Sequence, residues 1–163
     1  MKIALGFIAV LFIVAAGWYL ASPLFFDKTI DEEFPFKEMT TEEKTVLNDE
    51  MPSEEPAAVL RGSFTDADSF HKGSGEATVY KLPDGMQVLR LENFTVTNGP
   101  DLRVLLAVDS NPANSVELGK LKGNIGDQNY EIAASVDASA YNSVIIYCKP
   151  FQVIFSTATL LEP

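Results

Sequence analysis

In the stretch Tyr141-Asn-Ser-Val-Ile-Ile-Tyr-Cys-Lys-Pro-Phe-Gln-Val-Ile-Phe155, the chain's only cysteine lies between two runs of β-branched and aromatic residues. The continuous apolar run before the cysteine predicts a strand with both faces covered, and its period of two places Val144, Ile146 and Cys148 on one face. Proline cannot donate to a sheet ladder, so Lys149-Pro150 predicts a turn followed by a returning strand. Cys148 is therefore expected at a strand end, beside a turn.

Similar short runs, separated by turn residues every eight to twelve positions, follow residue 58. The predicted strands are Val59–Phe64, Ala77–Leu82, Met86–Phe94, Leu102–Asp109, Tyr130–Ala133, Ser143–Cys148 and Phe151–Ser156. Sharp turns are predicted at Pro83-Asp-Gly85 and Asn98-Gly-Pro-Asp101. The glycine-rich segment 118–126 predicts an ordered loop with a short strand at most. The pattern predicts an all-β fold, a single antiparallel β-sandwich or barrel-like domain over residues 58–163.

An uncharged and largely apolar segment, residues 3–21, precedes this domain. At a rise of about 1.5 Å per residue it matches the ~30 Å hydrocarbon core of a bilayer, so residues 1–21 are predicted to form a transmembrane signal anchor. Trp18-Tyr19 would lie at the far interface, and Lys2 marks the cytoplasmic side. The prediction is a single-pass protein of the cell membrane with its C-terminal domain outside the cytoplasm. A secretory peptide cleaved near Ala15-Ala-Gly17 is the alternative.

The formal net charge of -11 is concentrated between the apolar segment and the domain. Residues 22–57 hold 11 acidic against 3 basic residues, together with four prolines, which predicts a solvated, self-repelling linker. A short helix is predicted within it from Thr40 toward Met51. The basic residues of the chain form no cluster, so the charge pattern argues against a nucleic-acid partner.

Cysteine and histidine each occur once, which limits the chemistry available to this chain. A single cysteine, Cys148, excludes an intrachain disulfide and every C-x-x-C motif. A single histidine, His71, excludes the two-histidine blue-copper site, and no metal site is predicted. Asp66 and Asp68 stand two residues apart but lack the rest of a calcium loop, which favours an Asx turn.

Several short motifs, taken together and in this order, resemble the DM-thirteen domain over about residues 58–161. They are Arg61-Gly-Ser-Phe64, Phe70-His71, Gly73-Ser-Gly75, Val88-Leu-Arg-Leu-Glu-Asn-Phe94, Thr97-Asn-Gly-Pro-Asp101, Leu118-Gly119, Leu121-Lys-Gly-Asn124, Gly126 to Tyr130, and Val144 to Cys148 with Phe151 and Phe155. The resemblance implies a redox or electron-transfer role at the cell surface. It rests on a cysteine in the last strand pair, acting alone or as the ligand of a prosthetic group such as haem, and Cys148 matches that cysteine. Because only this domain and an anchor are present, a redox partner would be another protein.

Each candidate residue also has a structural interpretation. Cys148 is either a reactive thiol, which requires exposure near positive charge, or a small packed hydrophobe. His71 is either a ligand or thiol partner beside Cys148, or a side chain that organises its own turn.

Three functions follow from these alternatives. The first is a membrane-anchored redox module that acts through Cys148, with His71 as a further cofactor ligand. The second is a non-catalytic surface module for binding another protein or a small ligand, in which Cys148 is buried and inert. The third is an enzyme with a Cys-His dyad, which ranks last because the sequence offers no signature of an orienting residue; the expectation is a redox component and not an enzyme on its own.

Overall fold

The computed structural model describes residues 26–35 and 55–163, together with five helical residues nearer the N-terminus. These five are Leu11, Phe12, Val14, Gly17 and Trp18. Within this described part of the chain, no helix is long and apolar enough to cross a membrane. The rest of the predicted anchor over residues 1–21, and the short helix predicted from Thr40 toward Met51, lie outside the described residues.

Eight antiparallel strands make up the domain, which confirms the predicted all-β class. They are β1 (Ala57–Asp66), β2 (Gly73–Lys81), β3 (Gln87–Val96), β4 (Leu102–Val108), β5 (Asn111–Lys120), β6 (Gln128–Ile132), β7 (Ser143–Cys148) and β8 (Val153–Thr159). One turn of 3-10 helix, Ala138–Ala140, precedes β7.

The strands form one sheet in the order β5-β4-β7-β8-β1-β2-β3-β6. Strand β1 joins the two halves of this sheet, because residues 57–63 pair with β2 whereas residues 64–66 pair with β8. The two outermost strands, β5 and β6, also contact each other. The result is a nearly closed, barrel-like sheet, which is one of the two predicted architectures.

Strand β7 is buried on both faces, as its continuous apolar run predicts. Val144, Ile146 and Cys148 belong to the main hydrophobic cluster inside the barrel. Ile145 points to the other face and packs in a second cluster with Leu105. The predicted period of two is therefore confirmed, and it places the thiol in the interior.

The predicted turns are present, with a shift at one of them. Pro83–Gly85 connects β2 to β3, with Gly85 at a φ of 86°. The turn at residues 98–101 connects β3 to β4. The turn after β7 covers residues 149–152, so β8 begins at Val153, two residues later than predicted.

The prediction missed strand β5, whose last three residues, 118–120, are the short strand that the 118–126 prediction allowed. Strand β5 pairs with β4 through a two-residue hairpin at Asp109 and Ser110, both with positive φ. Because β5 occupies one end of the sheet order and none of its residues is buried, its sequence lacks the apolar alternation that marks a half-buried strand.

The strand register places the connections between strands at two ends of the barrel. One end, here called the groove end because an open groove lies along it, carries residues 67–72, 97–101, 121–127 and 149–152. The far end carries residues 82–86, 109–110 and 133–142.

Residues 27–34, here called the strap, lie against the domain although the sequence placed them in the solvated linker. Ile30 N–H donates to the Ile125 carbonyl at 2.9 Å, and Glu32 N–H donates to the Asp127 carbonyl at 2.9 Å. Thr29 forms a parallel bridge with Ile125. The strap therefore pairs with the loop before β6 much as an added strand does.

Side chains of the strap complete this attachment. The Glu32 carboxylate accepts from Lys122 Nζ at 2.8 Å, and the ring of Phe34 packs edge-on against Tyr80. Burial alone would raise the pKa of Glu32, but the hydrogen bonds from Lys122 and Asn129 outweigh it and the pKa is lowered. A charged Glu32 is thus the form that the docked strap stabilises.

Candidate functional site

Cys148 lies at the last position of β7, where the groove end begins. It pairs with Leu102 of β4 and Val153 of β8, and its exposed fraction is 0%. Its thiol donates to the Pro100 carbonyl oxygen at 3.1 Å. Although Cys148 stands at a strand end, the turn at residues 98–101 covers it.

The surroundings of the Cys148 thiol favour the neutral form. Burial raises the thiol pKa, an N–H from Phe151 acts in the opposite direction, and the negative charge of Asp101 raises the pKa further. Because the thiolate is the nucleophilic form, the thiol as it sits is a weak nucleophile. In this structure, Cys148 occupies the position of a small hydrophobic residue packed in the core.

The cationic side chains next to Cys148 and next to its pairing partner Leu102 are engaged with acids. Lys149, next to Cys148 in sequence, donates to Glu117 at 3.0 Å. Arg103 donates to Asp101 at 2.9 Å and to Glu117 at 2.6 Å. This network lowers the pKa of both acids, chiefly through the Arg103 hydrogen bond to Asp101 and the Lys149 hydrogen bond to Glu117.

An open groove of about 830 Å³ runs along the groove end. Pro100, whose carbonyl oxygen accepts from the Cys148 thiol, and Leu102, which pairs with Cys148, both line it. Lys120 and Lys122 line another part, and Phe26 belongs to the lining as well. Cys148 is therefore separated from the groove by the 98–101 turn and the start of β4.

His71 organises the loop between β1 and β2. Its Nδ1 lies 2.7 Å from Asp68 Oδ2, while Asp68 Oδ1 accepts from the N–H groups of Phe70 and His71. These bonds form the predicted Asx turn and lower the pKa of Asp68 to about 2, with the His71 side chain as the largest cause. The His71 ring packs against Phe155, with 4.3 Å between the ring centres.

His71 and Cys148 are held by different partners and share no hydrogen bond in the described part of the chain. Phe155 contacts His71 on one side, and its ring also lies against Gly99 of the covering turn. Over the described residues, no three acidic, histidine or cysteine side chains are grouped so that they could hold a metal ion. The direction of the Cys148 pKa shift is also opposite to that produced by a Cys-His pair.

Sequence reasoning missed the part of the site that the strap builds. Gly123 and Gly126 let the strap backbone approach so closely that an added Cβ would overlap the carbonyl oxygens of Lys28 and Ile30. Asn98 and Asn124 bind the start of the strap through Asp27. The glycines in the 118–126 segment were the available signal, since they mark close backbone approach as well as a loop.

The fold and the site together define a small antiparallel barrel with one buried thiol beneath a turn at its open end. The family model described as electron transfer DM13 matches residues 63–160, which include every strand after the start of β1. The chain therefore belongs to the electron transfer DM13 family, as the motifs indicated. No curated protein and no solved structure matches the chain.

Proposed function

We propose that this protein is a membrane-anchored, extracytoplasmic module with a redox-related role, in which Cys148 acts as a free thiol. The match to the electron transfer family carries the redox-related role, because it covers the strand pair that bears Cys148. The uncharged residues 3–21 support the anchor, and Lys2 before them supports a domain outside the cytoplasm. The electron donor or acceptor is then a second protein.

A prosthetic group held by Cys148 and His71 does not fit this arrangement. A ligand atom must face a space that the group can occupy, whereas the Cys148 sulfur is fully covered and its thiol is bonded to Pro100. One ring nitrogen of His71 is held by Asp68, and the ring packs on Phe155. The proposal therefore uses the thiol itself and no bound group.

The covering turn provides a local route to the thiol. Two hydrogen bonds join the turn to the end of β7: the Cys148 thiol donates to Pro100 O at 3.1 Å, and Lys149 N–H donates to Asp101 O at 3.3 Å. Each hydrogen bond contributes a net stabilisation of about 0.5–1.5 kcal/mol, whereas the free energy of unfolding of a whole domain is roughly 5–15 kcal/mol. Local opening of the 98–101 turn, which also breaks the Asn98 hydrogen bonds to Phe26 and Asp27, therefore costs less free energy than unfolding of the whole domain.

Thiol exchange with glutathione disulfide tests this proposal. The full chain in lipid vesicles is incubated with glutathione disulfide, and its mass is measured beside that of Cys148→Ser. The Cys148 thiolate attacks one sulfur, one glutathione thiolate leaves, and a mixed disulfide forms. We expect this product under native conditions, its reversal by reduced glutathione, and no product with the serine variant. Non-reducing electrophoresis separates it from a trivial disulfide-linked dimer.

The second candidate function is a non-catalytic binding module. The specific observation in its favour is the position of Cys148, which is fully buried with a raised pKa. This candidate predicts that the mixed disulfide forms only after denaturation. That result would remove the redox role of Cys148 and leave the groove end as the functional surface.

A further inference from the structure

Three exposed phenylalanines lie at the groove end of the barrel. Phe26, Phe70 and Phe151 are 64%, 81% and 69% exposed, respectively. Phe70 belongs to the β1–β2 loop and Phe151 to the β7–β8 turn, while the Phe26 carbonyl accepts from Asn98 in the β3–β4 turn. Toward the far end, the exposed large hydrophobic side chains among the described residues are Met86 and Leu161, which are 48% and 67% exposed. Over residues 26–35 and 55–163, the exposed large aromatic side chains therefore all lie at the groove end.

The same end is where the chain arrives from its apolar N-terminal segment. Five peptide steps separate Ala21, the last residue of that segment, from Phe26. At no more than ~3.6 Å per residue, these steps span at most about 18 Å. Phe26 is fixed to the groove end through Asn98, so an inserted segment holds this end of the barrel close to the bilayer.

The charges of the groove end suit a lipid surface better than the net charge of -11 suggests. The carboxylates of its loops, of the last residue of β1 and of the strap's first residue each contact a basic side chain or an amide. The pairs are Asp66 with Lys72, Asp68 with His71, Asp101 with Arg103, Asp127 with Arg90, and Asp27 with Asn98 and Asn124. Paired acids repel anionic headgroups less than free acids do.

We propose that the groove end rests on the bilayer surface, with Phe26, Phe70 and Phe151 in the interfacial region. Aromatic side chains are favoured at this depth, and several exposed rings at one end act together with the anchor. The inference rests on the membrane anchoring in the proposed function. It places the groove, and the turn that covers Cys148, at the membrane surface.

Depth-dependent fluorescence quenching tests this orientation in the full chain. Trp18 is the only tryptophan, so Trp18→Phe provides a background in which one new tryptophan replaces Phe70, Phe151 or, as the far-end control, Met86. Each protein is reconstituted in vesicles of phosphatidylcholine and phosphatidylglycerol that contain lipid brominated near the headgroup. All three positions are exposed, so the substitutions leave the core intact.

The proposal predicts that tryptophan at 70 or 151 is quenched about threefold or more compared with tryptophan at 86, and that its emission lies further to the blue. Equal quenching at all three positions, in chains that float with the vesicles, would overturn the docked orientation and leave the anchor intact. A chain that does not float with the vesicles would overturn the anchor and the orientation together.

Discussion

Replacement of Gly126 by alanine is expected to detach the strap from the domain. Gly126 has a φ of 98°, and an alanine Cβ there would overlap the carbonyl oxygen of Ile30. The clash is with backbone, so a rotamer change cannot relieve it. The strained backbone costs about 1–2 kcal/mol. The Ile30 and Glu32 hydrogen bonds to the loop contribute about 2 kcal/mol together.

Hydrogen exchange of the full chain measures this effect directly. A loss of about 2 kcal/mol of strap attachment corresponds to a roughly thirtyfold fall in the protection of the Ile30 and Glu32 amides. The total fall in the free energy of unfolding is expected to be about 3–4 kcal/mol. Gly85→Ala is the matched control, because Gly85 has a φ of 86° but nothing within 4 Å of an added Cβ. Unchanged protection of both strap amides in Gly126→Ala would refute the close approach described for the strap.

Three further predictions concern single side chains of the domain. Cys148→Ala leaves a cavity in the core and should lower the free energy of unfolding by about 1–3 kcal/mol, measured by urea denaturation; an unchanged midpoint would contradict its packing. Asp68, whose folded-state pKa of about 2 lies below its unfolded value, contributes stability above about pH 4 that is lost as the pH falls toward 2. Asp68→Asn should therefore flatten the thermal stability profile between these pH values, and a profile as steep as that of the parent would count against the His71 contact. Arg90→Lys should destabilise the domain by about 2–4 kcal/mol, because lysine cannot make the four hydrogen bonds of the nearly buried guanidinium; a change below 1 kcal/mol in urea denaturation would show that these bonds contribute little.

The sequence predicted the features of the fold that depend on local pattern. The apolar run of β7 identified a strand buried on both faces, and its parity correctly placed Cys148 with Val144 and Ile146. Proline and glycine identified the 83–85 turn. These features could be predicted because the alternation of side chains along a strand and the backbone preferences of proline and glycine depend on only a few neighbouring residues.

Features that depend on distant partners were not predicted. The β4–β5 hairpin turns at Asp109 and Ser110, which lack the usual glycine signal and instead bond to Asn142 and Ser143. The covering of Cys148 depends on Pro100, which lies 48 residues away in the sequence. Composition alone could not show that an acidic, proline-containing segment would find specific partners in Arg90 and Lys122, and so the strap was read as solvated linker.

The most direct test of the redox account is the factor by which folding slows alkylation of Cys148, compared with the equilibrium constant for global unfolding. Opening of the 98–101 turn breaks its two hydrogen bonds to the end of β7 and the two that Asn98 donates to Phe26 and Asp27, at a cost of about 2–6 kcal/mol. The account predicts that folding slows alkylation of Cys148 by a factor of roughly 10²–10⁴, and that this factor does not change in dilute urea. A protection equal to the global unfolding constant, falling with urea as the whole domain does, would mean that Cys148 is reached only by unfolding and serves as a packing residue.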